Sequence, residues 1–514
     1  MFEMFPNIDI GKDAQYPLSS YLFGHRMRSN QTDIEYLIEF LQVMLAKKKL
    51  EDMTDEYFPK VPRGQDREIE YYPEAAIVLK RFIFFPNSKP EGKLPVDKDA
   101  YQACIKSLVQ NVDGDDNRSK QIIAIIQDLF YGFNATAQNR SWFDKNMLPV
   151  CPEVILPEGM GVKSRNENED RGRLVFERGN AAVDNKFSYN RYTYMCRGGE
   201  IYYLHLLSSA NQQGDAFRAK LESRFKALIC DSYPQFSELS KFIKNTWANY
   251  MMVEPDDVTI PKKNLNMIPR AFSCRDAYTA KEVYTLLSNN IDPFDKLNIL
   301  ADTIILQLLR VMFAAASAVV KNRKAPWVID VSQHNPEMRK LAVDGFSSNE
   351  ACVVDYIYMG YAHYEDRLKA PRGSSTKTKE QKHVADAASD SYKLFRKLAK
   401  NLGLLVPIKG PNMRLSLNER LVKVLVLTLI GPGQKVTVDY FMELLYEHFG
   451  MIVDRNAYER AIEEGIMSPL SDYTFMDRNR DAFTKLLKEC GFLRDLSDAT
   501  CIVENPFDEE VISE

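Results

Sequence analysis

Carboxylates and lysines that could assemble a metal-dependent nuclease site come together in one segment, EPDDVTIPKK, at residues 254–263. In such enzymes the carboxylates bind the cation that activates the attacking water. The spacing fits no compact D…ExK arrangement, so the segment is better interpreted as an exposed loop. A metal-dependent nuclease whose site assembles only in the folded chain stays open as an alternative function.

Histidines and cysteines show no metal-ligand spacing. The six histidines form no HxxxH or HxH pair, and the eight dispersed cysteines form no CxxC pair. This pattern favours reduced thiols in a cytosolic protein over a zinc module or a disulfide framework. A Ser-His-Asp or Cys-His site needs only to meet in space, yet no feature indicates one. We therefore predict no catalytic residue, no metal and no cofactor.

Two glycines suggest a phosphate loop in CRGGEIYY, residues 196–203, where Arg197 could supply charge beside Gly198 and Gly199. The GxxxxGK[ST] pattern is missing, so a turn is the favoured interpretation. Aromatic side chains around it could stack on nucleic-acid bases. Packing of a small sheet against helices is the favoured role for them. They are Phe187, Tyr189, Tyr192, Tyr194, Tyr202 and Tyr203.

Cations near the C-terminus are the first candidate contacts to DNA, because lysine and arginine neutralise phosphates. Four lie on the helical run before a terminal hairpin and one lies in the hairpin: Arg478, Arg480, Lys485, Lys488 and Arg494. Acidic neighbours such as Asp481 and Asp498 oppose them, so a solvated helix face is an equally open interpretation. If this region touches DNA, we expect the helix to do so and not the hairpin.

A second basic patch lies in EDRLKAPRGSSTKTKEQKH, residues 365–383. Its candidate phosphate contacts are Arg372, Lys377, Lys379 and Lys382. Gly, Ser and Thr between the cations are typical of an exposed linker. A soluble connector is therefore favoured over a DNA contact.

The elements that position these residues belong to a multidomain protein of the mainly α class with minor β structure. The 514 residues are 45% hydrophobic and 27% charged, with a net charge of −4, so no protein-wide field attracts a polyanion. We predict a helical N-terminal domain at 1–160 and a mainly helical middle domain at 174–325, which contains a small aromatic-rich β segment. A less regular connector with the basic linker follows at 326–385. A winged-helix-like domain is predicted at 386–514.

Two helices are predicted with particular clarity. Thr32 and Glu35 form a capping box ahead of a run in which apolar residues recur at the helical spacing of about 3.6 positions. Lys47–Lys49 suit the negatively polarised C-terminal end of that helix. A long apolar run extends from Leu297 to Val320. Asp302, Gln307 and Arg310 interrupt it, which favours a buried helix over a membrane span.

The C-terminal elements follow the order of a winged helix: helix, short break, further helices, then a two-stranded hairpin. Capping signals mark the helices, with Ser416 and Glu419 as a capping box, Thr437 and Asp454 as N-caps, and Gly450 as a left-handed C-cap. An unrelated helical bundle with a terminal hairpin is the alternative.

Several C-terminal segments resemble uncharacterised proteins found beside bacterial anti-phage and DNA-modification-linked restriction genes. They are YKLFRKLAKNLGLLVP, RLVKVLVLTLIGPGQKVTVDYFMELLYEHFG and GFLRDLSDATCIVENP, and MCRGGEIYYLHL and NRSWFDKNMLPVCPE are similar in character. The resemblance implies a multi-gene defence assembly in which ATPase, helicase or nuclease work lies in partner chains. The resemblance does not assign a functional role to any residue of this chain.

The sequence thus predicts a cytoplasmic, non-catalytic, DNA-associated adaptor or scaffold subunit of an anti-phage defence complex. Its expected partners are other protein subunits, with double-stranded DNA as a further candidate and no membrane. A metal-dependent nuclease and a pure protein-interaction subunit remain the alternatives.

Overall fold

The computed structural model describes residue 5 and residues 17–24, 31–61, 69–74, 76–89, 95–136, 140–156, 197–251, 263–265, 268–369, 376–497 and 500–512. Helices dominate these residues, and the strands are few and short, which confirms the predicted mainly α class. Arg372 and residues 254–262 of the acidic segment lie outside the described residues.

The helices are α1 (Pro17–Phe23), α2 (Asp33–Leu45), α3 (Ile77–Phe84), α4 (Pro95–Gln110), α5 (Asp116–Tyr131), α6 (Gly198–Gln213), α7 (Asp215–Lys226), α8 (Pro234–Met251), α9 (Thr279–Ser288), α10 (Pro293–Lys321), α11 (Pro336–Tyr364), α12 (Lys379–Leu402), α13 (Glu419–Leu429), α14 (Val438–Phe449), α15 (Arg455–Glu463) and α16 (Thr474–Glu489).

The strands are β1 (Lys47–Lys49), β2 (Met53–Thr54), β3 (Glu70–Tyr72), β4 (Lys263–Asn264), β5 (Trp327–Val328), β6 (Leu405–Val406), β7 (Arg414–Leu415), β8 (Lys435–Thr437), β9 (Met451–Ile452), β10 (Leu493–Ser497) and β11 (Thr500–Glu504). They form sheets in the orders β2-β1-β3-β4, β10-β11-β8, β5-β9 and β6-β7. All these pairs are antiparallel except β5 with β9.

Helix α2 begins as predicted, because Thr32 and Glu35 form a capping box. The lysines after it differ from the prediction: they form β1, and Lys48 is fully buried there. Its Nζ still donates hydrogen bonds at the C-terminal end of α2, to the carbonyl oxygens of Met44 at 2.7 Å and Ala46 at 2.9 Å. Burial lowers the pKa of Lys48 to about 7.

Helix α10 is the spine of the molecule and packs on α2, α11, α12 and α13. Of the described helices it alone is long and apolar enough to cross a membrane, but 78% of its most apolar window is buried. Its polar interruptions have internal partners: Gln307 accepts a hydrogen bond from Tyr202 at 2.6 Å, and Arg310 donates to the Ala325 carbonyl at 2.6 Å. This confirms the predicted buried helix.

The region predicted as an irregular connector contains long helices instead. Residues 336–364 form α11, which Asn335 caps by accepting the N–H groups of Glu337 and Met338. Residues 379–385 of the predicted linker belong to α12, which starts at a capping box made by Thr378 and Gln381. Helices α11 and α12 pack on each other, so burial of an apolar face outweighs the loop-like composition.

The C-terminal module, residues 414–504, runs from β7 through α13, β8, α14, β9, α15 and α16 to the β10–β11 hairpin. Strand β11 pairs with β8 on its other edge, so the hairpin closes a three-stranded sheet. Thr437 and Asp454 cap their helices as predicted, and Gly450 has φ +63°. The predicted capping box of Ser416 is wrong.

The N-cap of α13 is Asn418, whose side chain accepts the N–H of Leu421 at 2.9 Å. Ser416 is buried two residues earlier, and its hydroxyl meets no hydrogen-bond partner. Strand β7 ends at Leu415 and α13 begins at Glu419, so Ser416 lies before the helix start.

The C-terminal module shares its core with the preceding elements. One cluster of buried apolar side chains runs from Phe5 to Val503. Strand β5 pairs with β9, and the N–H of Trp327 donates to the Gly450 carbonyl at 2.8 Å. Within the described residues the module is therefore built into the body. The predicted domain boundaries stay predictions.

A C-terminal strap, residues 505–510, ties the end of the described chain to α7, α9 and α10. Asn505 is fully buried and donates to the side chain of Asn289 at 2.7 Å and to the carbonyl of Ile430 at 2.8 Å. Acidic residues of the strap form ion pairs: Arg224 with Glu509 at 2.7 Å and Lys296 with Glu510 at 2.9 Å. Glu509 and Glu510 of the strap are thus paired with cations of the body.

Candidate functional site

The candidate DNA-contacting helix is α16, and its two faces differ in character. Phe475, Met476, Phe483 and Leu487 are buried at helical spacing and attach the helix to the molecule. The opposite face exposes Arg478, Lys485 and Lys488 to solvent. The apolar face therefore determines the orientation that leaves these three cations outside.

Acidic residues accompany the cations of this face. Arg480 pairs with Asp439 of α14 at 2.6 Å, and Lys485 lies 3.6 Å from Glu489. In the hairpin Arg494 pairs with Glu504, which Lys435 also contacts at 3.3 Å. Asp477, Asp481 and Glu489 are also exposed on α16, so the charge of its cations is partly cancelled there. That the helix and not the hairpin is the better DNA contact stays a prediction.

The second basic patch lies far from α16. Lys377 is exposed in the turn before α12, and Lys379 donates to the Glu365 carbonyl at 3.2 Å, just beyond the end of α11. Lys382 is half-buried one turn further along α12. Helix α16 packs near the other end of α11, where Met338 joins its apolar cluster. At about 1.5 Å per residue, the two patches are about 40 Å apart along α11.

A buried ionic network fixes the C-terminal module to the body. Glu282 of α9 accepts hydrogen bonds from Arg275 at 2.6 and 2.8 Å and from His448 of α14 at 2.8 Å. Gln307 of α10 also donates to it at 2.6 Å. Burial opposes ionisation of Glu282, but Arg275 and His448 outweigh it and lower its pKa to about 2. The carboxylate is therefore charged in the folded protein.

Two further arginines connect the module to distant parts of the chain. Arg414 of β7 donates to Asp330 at 2.6 Å in a buried pair. Arg420 of α13 binds Asp302 of α10 and reaches Asp33 at the start of α2, at 3.1 Å. Burial raises the pKa of Asp302 to about 6 although Arg420 opposes that shift. The module is thus attached to both the spine and the N-terminal helices.

The predicted turn at Gly198 and Gly199 is wrong, because both glycines begin α6. They are needed where α6 crosses α2: a Cβ on Gly198 would lie 2.0 Å from the Tyr36 ring. The anion position at this helix start is filled by the Glu39 carboxylate, which accepts the N–H of Arg197 at 3.0 Å and of Gly199 at 2.8 Å. A phosphate cannot occupy the same amides.

Burial and the neighbouring Glu200 raise the pKa of Glu39 to about 7. Glu200 itself pairs with Arg197 at 2.6 Å and accepts the Tyr71 hydroxyl at 2.6 Å. Tyr202 and Tyr203 of the same segment are fully buried, but they lie in helix α6 and not in the predicted small sheet. Phe187, Tyr189, Tyr192 and Tyr194 lie outside the described residues.

The fold brings a hydroxyl, an imidazole and a carboxylate together at one place. Thr279 Oγ1 lies 2.8 Å from His205 Nε2, and His205 Nδ1 lies 3.9 Å from Asp276. Thr279 and His205 are buried from solvent, and burial lowers the pKa of His205 to about 3. A neutral, enclosed histidine offers a substrate no access, so this cluster serves the packing of α6 against α9. Across the described residues no group of three or more histidine, cysteine or acidic side chains has metal-site geometry.

In comparison with known proteins, the C-terminal module is similar to a family of defence-system proteins. The family that matches is described as methylation-associated defense system protein MAD7, over residues 412–504. For this stretch the match confirms the resemblance that the sequence indicates. It covers less than a fifth of the 514 residues, beginning two residues before β7 and ending with β11. No curated protein and no solved structure matches the chain.

Proposed function

We propose that this protein is a non-catalytic, DNA-associated adaptor or scaffold subunit of a bacterial methylation-associated anti-phage complex in the cytoplasm. The observation that carries the proposal is the match of residues 412–504 to a defence-system protein, because that stretch coincides with the C-terminal module. The module presents the exposed cations of α16 and is fixed to a large helical body. Such a body offers surface for other subunits.

The proposal includes a winged-helix assignment for the module. Its support is the order α13, β8, α14, α15, α16 and hairpin, with β8 joining the hairpin in one sheet. In DNA-binding proteins of the helix-turn-helix class, a helix enters the major groove while cations hold the phosphates. Helix α16 precedes the hairpin and carries Arg478, Lys485 and Lys488 on its open face, so it is the element that we assign to this role.

The test is DNA binding by the full chain, measured by fluorescence anisotropy with a labelled duplex at several salt concentrations. The variant is R478E/K485E/K488E. Its matched control is K106E/K220E/K281E, which makes the same charge change at exposed sites of α4, α7 and α9. We expect the first variant to lose binding and the control to keep it. The salt slope of the wild type should report about 0.9 per phosphate contact.

A third variant, K377E/K379E/K382E, tests the basic patch at the start of α12 in the same assay. Equal binding by the wild type and the α16 variant would overturn DNA contact through α16. Absence of binding by the wild type at low salt, together with a stable complex with the product of a neighbouring gene, would favour a pure protein-interaction subunit. DNA cleavage that depends on added Mg²⁺ would favour the nuclease alternative.

A further inference from the structure

Helix α5 exposes an apolar stripe that no described part of the chain covers. Ile125 is 67% exposed and Leu129 is 45% exposed, one helical turn apart. Ile122 lies on the same side and is half-buried. The other large exposed apolar side chains of the described residues stand singly: Met53, Tyr358, Ile408, Tyr440 and Val511. Paired exposure on one helix face indicates a contact surface, since single exposed side chains are ordinary.

The helix does not need this stripe to attach to its own protein. Ser119, Ile123 and Phe130 are buried on its inner side, and α5 packs there against α3 and α4. The amphipathic pattern is therefore already satisfied by one face. A second apolar face on the same helix is left uncovered by the part of the chain that the structure describes.

Charges on α5 are distributed in a way that suits a second copy of the same helix. Arg118 lies on the stripe side near the start, and Asp128 flanks the stripe near the end. Within the described residues neither forms an ion pair, whereas Asp116 and Lys120 pair with each other at 2.5 Å. If two copies pack antiparallel with the two-fold axis between Ile122 and Ile125, Arg118 and Asp128 lie about equally far on either side of that axis, so Arg118 of each copy faces Asp128 of the other. The isologous contact is then complementary in both charge and apolarity.

We propose that the outer face of α5 (Arg118, Ile122, Ile125, Asp128 and Leu129) is a homodimer contact in which two copies of α5 pack antiparallel. One helix pair buries less surface than the roughly 1,200 Å² of a stable interface. The dimer is therefore concentration-dependent and forms where copies are held close together. This inference does not rest on DNA binding or on the defence role.

Sedimentation velocity of the full chain over a range of concentrations tests the contact. Wild-type protein is expected to shift from monomer to dimer as concentration rises. The variant I125D/L129D should weaken association at least tenfold, while the exposed-site control K106D on α4 leaves it unchanged. Both stripe positions are open to solvent in the monomer, so the fold, followed by circular dichroism, is expected to persist.

A charge swap tests the antiparallel arrangement itself. R118D alone and D128R alone should each weaken the dimer, and R118D/D128R together should restore it to within about threefold of wild type, because each copy then carries the reversed pair. A chain that stays monomeric at every concentration overturns the proposal, even if another subunit binds the stripe. Failure of the double variant to restore association overturns the antiparallel pairing.

Discussion

At the scale of single residues, the important contacts join side chains that lie far apart in the sequence and that no sequence pattern predicts to meet. Arg275, Glu282 and His448 are separated by up to 173 positions, yet the Arg275 guanidinium donates to the His448 carbonyl and to the Glu282 carboxylate. No spacing rule joins them, because the α9–α14 contact exists only in the folded chain. The exposed cations Arg478 and Lys485 were predicted from local sequence, since a helix face can be derived from periodicity.

Replacing Glu282 with Gln tests this network. We expect a loss of about 3–5 kcal/mol in the free energy of unfolding, because the buried Arg275 loses its charged partner. The pKa of Glu282 lies at about 2, against an ordinary value of 4.5. Its contribution is therefore complete above about pH 5 and disappears as the pH falls toward 2.

Denaturant unfolding of wild type and Glu282→Gln between pH 7 and pH 4 measures this difference, which should be constant at first and shrink below about pH 5. Glu463→Gln on the exposed side of α15 is the control, with an expected change within about 0.5 kcal/mol. An equal loss in both variants would contradict the assignment.

At the scale of elements, local signals predicted helices well and connectors poorly. The capping box at Thr32, the N-caps at Thr437 and Asp454 and the buried α10 all follow from short-range patterns. Helix α11 and residues 379–385 of α12 were assigned to a connector because tertiary packing, and not a local signal, supplied their stability. Only residues 365–383 have the Gly, Ser and Thr that are typical of a linker. Strand β8 was missed for a related reason: its partner β11 lies more than 60 residues away.

The N-cap of α13 can be tested by replacing the observed cap, Asn418, and the predicted cap, Ser416, one at a time. Asn418→Ala should cost about 1 kcal/mol, because the N–H of Leu421 loses its acceptor. Ser416→Ala should cost nothing or stabilise slightly, because the buried hydroxyl has no hydrogen-bond partner to lose. Thermal and denaturant unfolding of the two single variants decides between them, and the reverse ranking would show that the helix starts at Ser416 after all.

At the scale of the whole molecule, ion pairs and shared core bind the C-terminal module to the rest. Arg420 links α13 to α10 and α2, and Arg414 links β7 to Asp330. The sequence suggested that a basic linker separates this region, but the described chain shows long packed helices on both sides of residues 370–375. A surface presented on α16 is therefore held in a fixed orientation relative to the body within the described residues.

Truncation tests the C-terminal strap. A chain ending at Glu504 loses the Asn505 hydrogen bonds and leaves Arg224 and Lys296 without their acidic partners. We expect a loss of about 2–4 kcal/mol in unfolding free energy. A chain ending at Glu510 keeps all these contacts and should unfold like the full-length protein. Equal thermal unfolding of the two truncated chains would contradict a stabilising role for the strap.

The buried Lys48 can be used as a chemical probe of how often the end of α2 opens. Burial lowers its pKa to about 7 in the folded state, whereas on opening the amine regains the properties of an ordinary surface lysine. The burial of its side chain and three carbonyl acceptors keep acylating reagents away while β1 is closed. The rate at which Lys48 is acylated, followed by mass spectrometry, therefore measures how often the end of α2 opens in the native state.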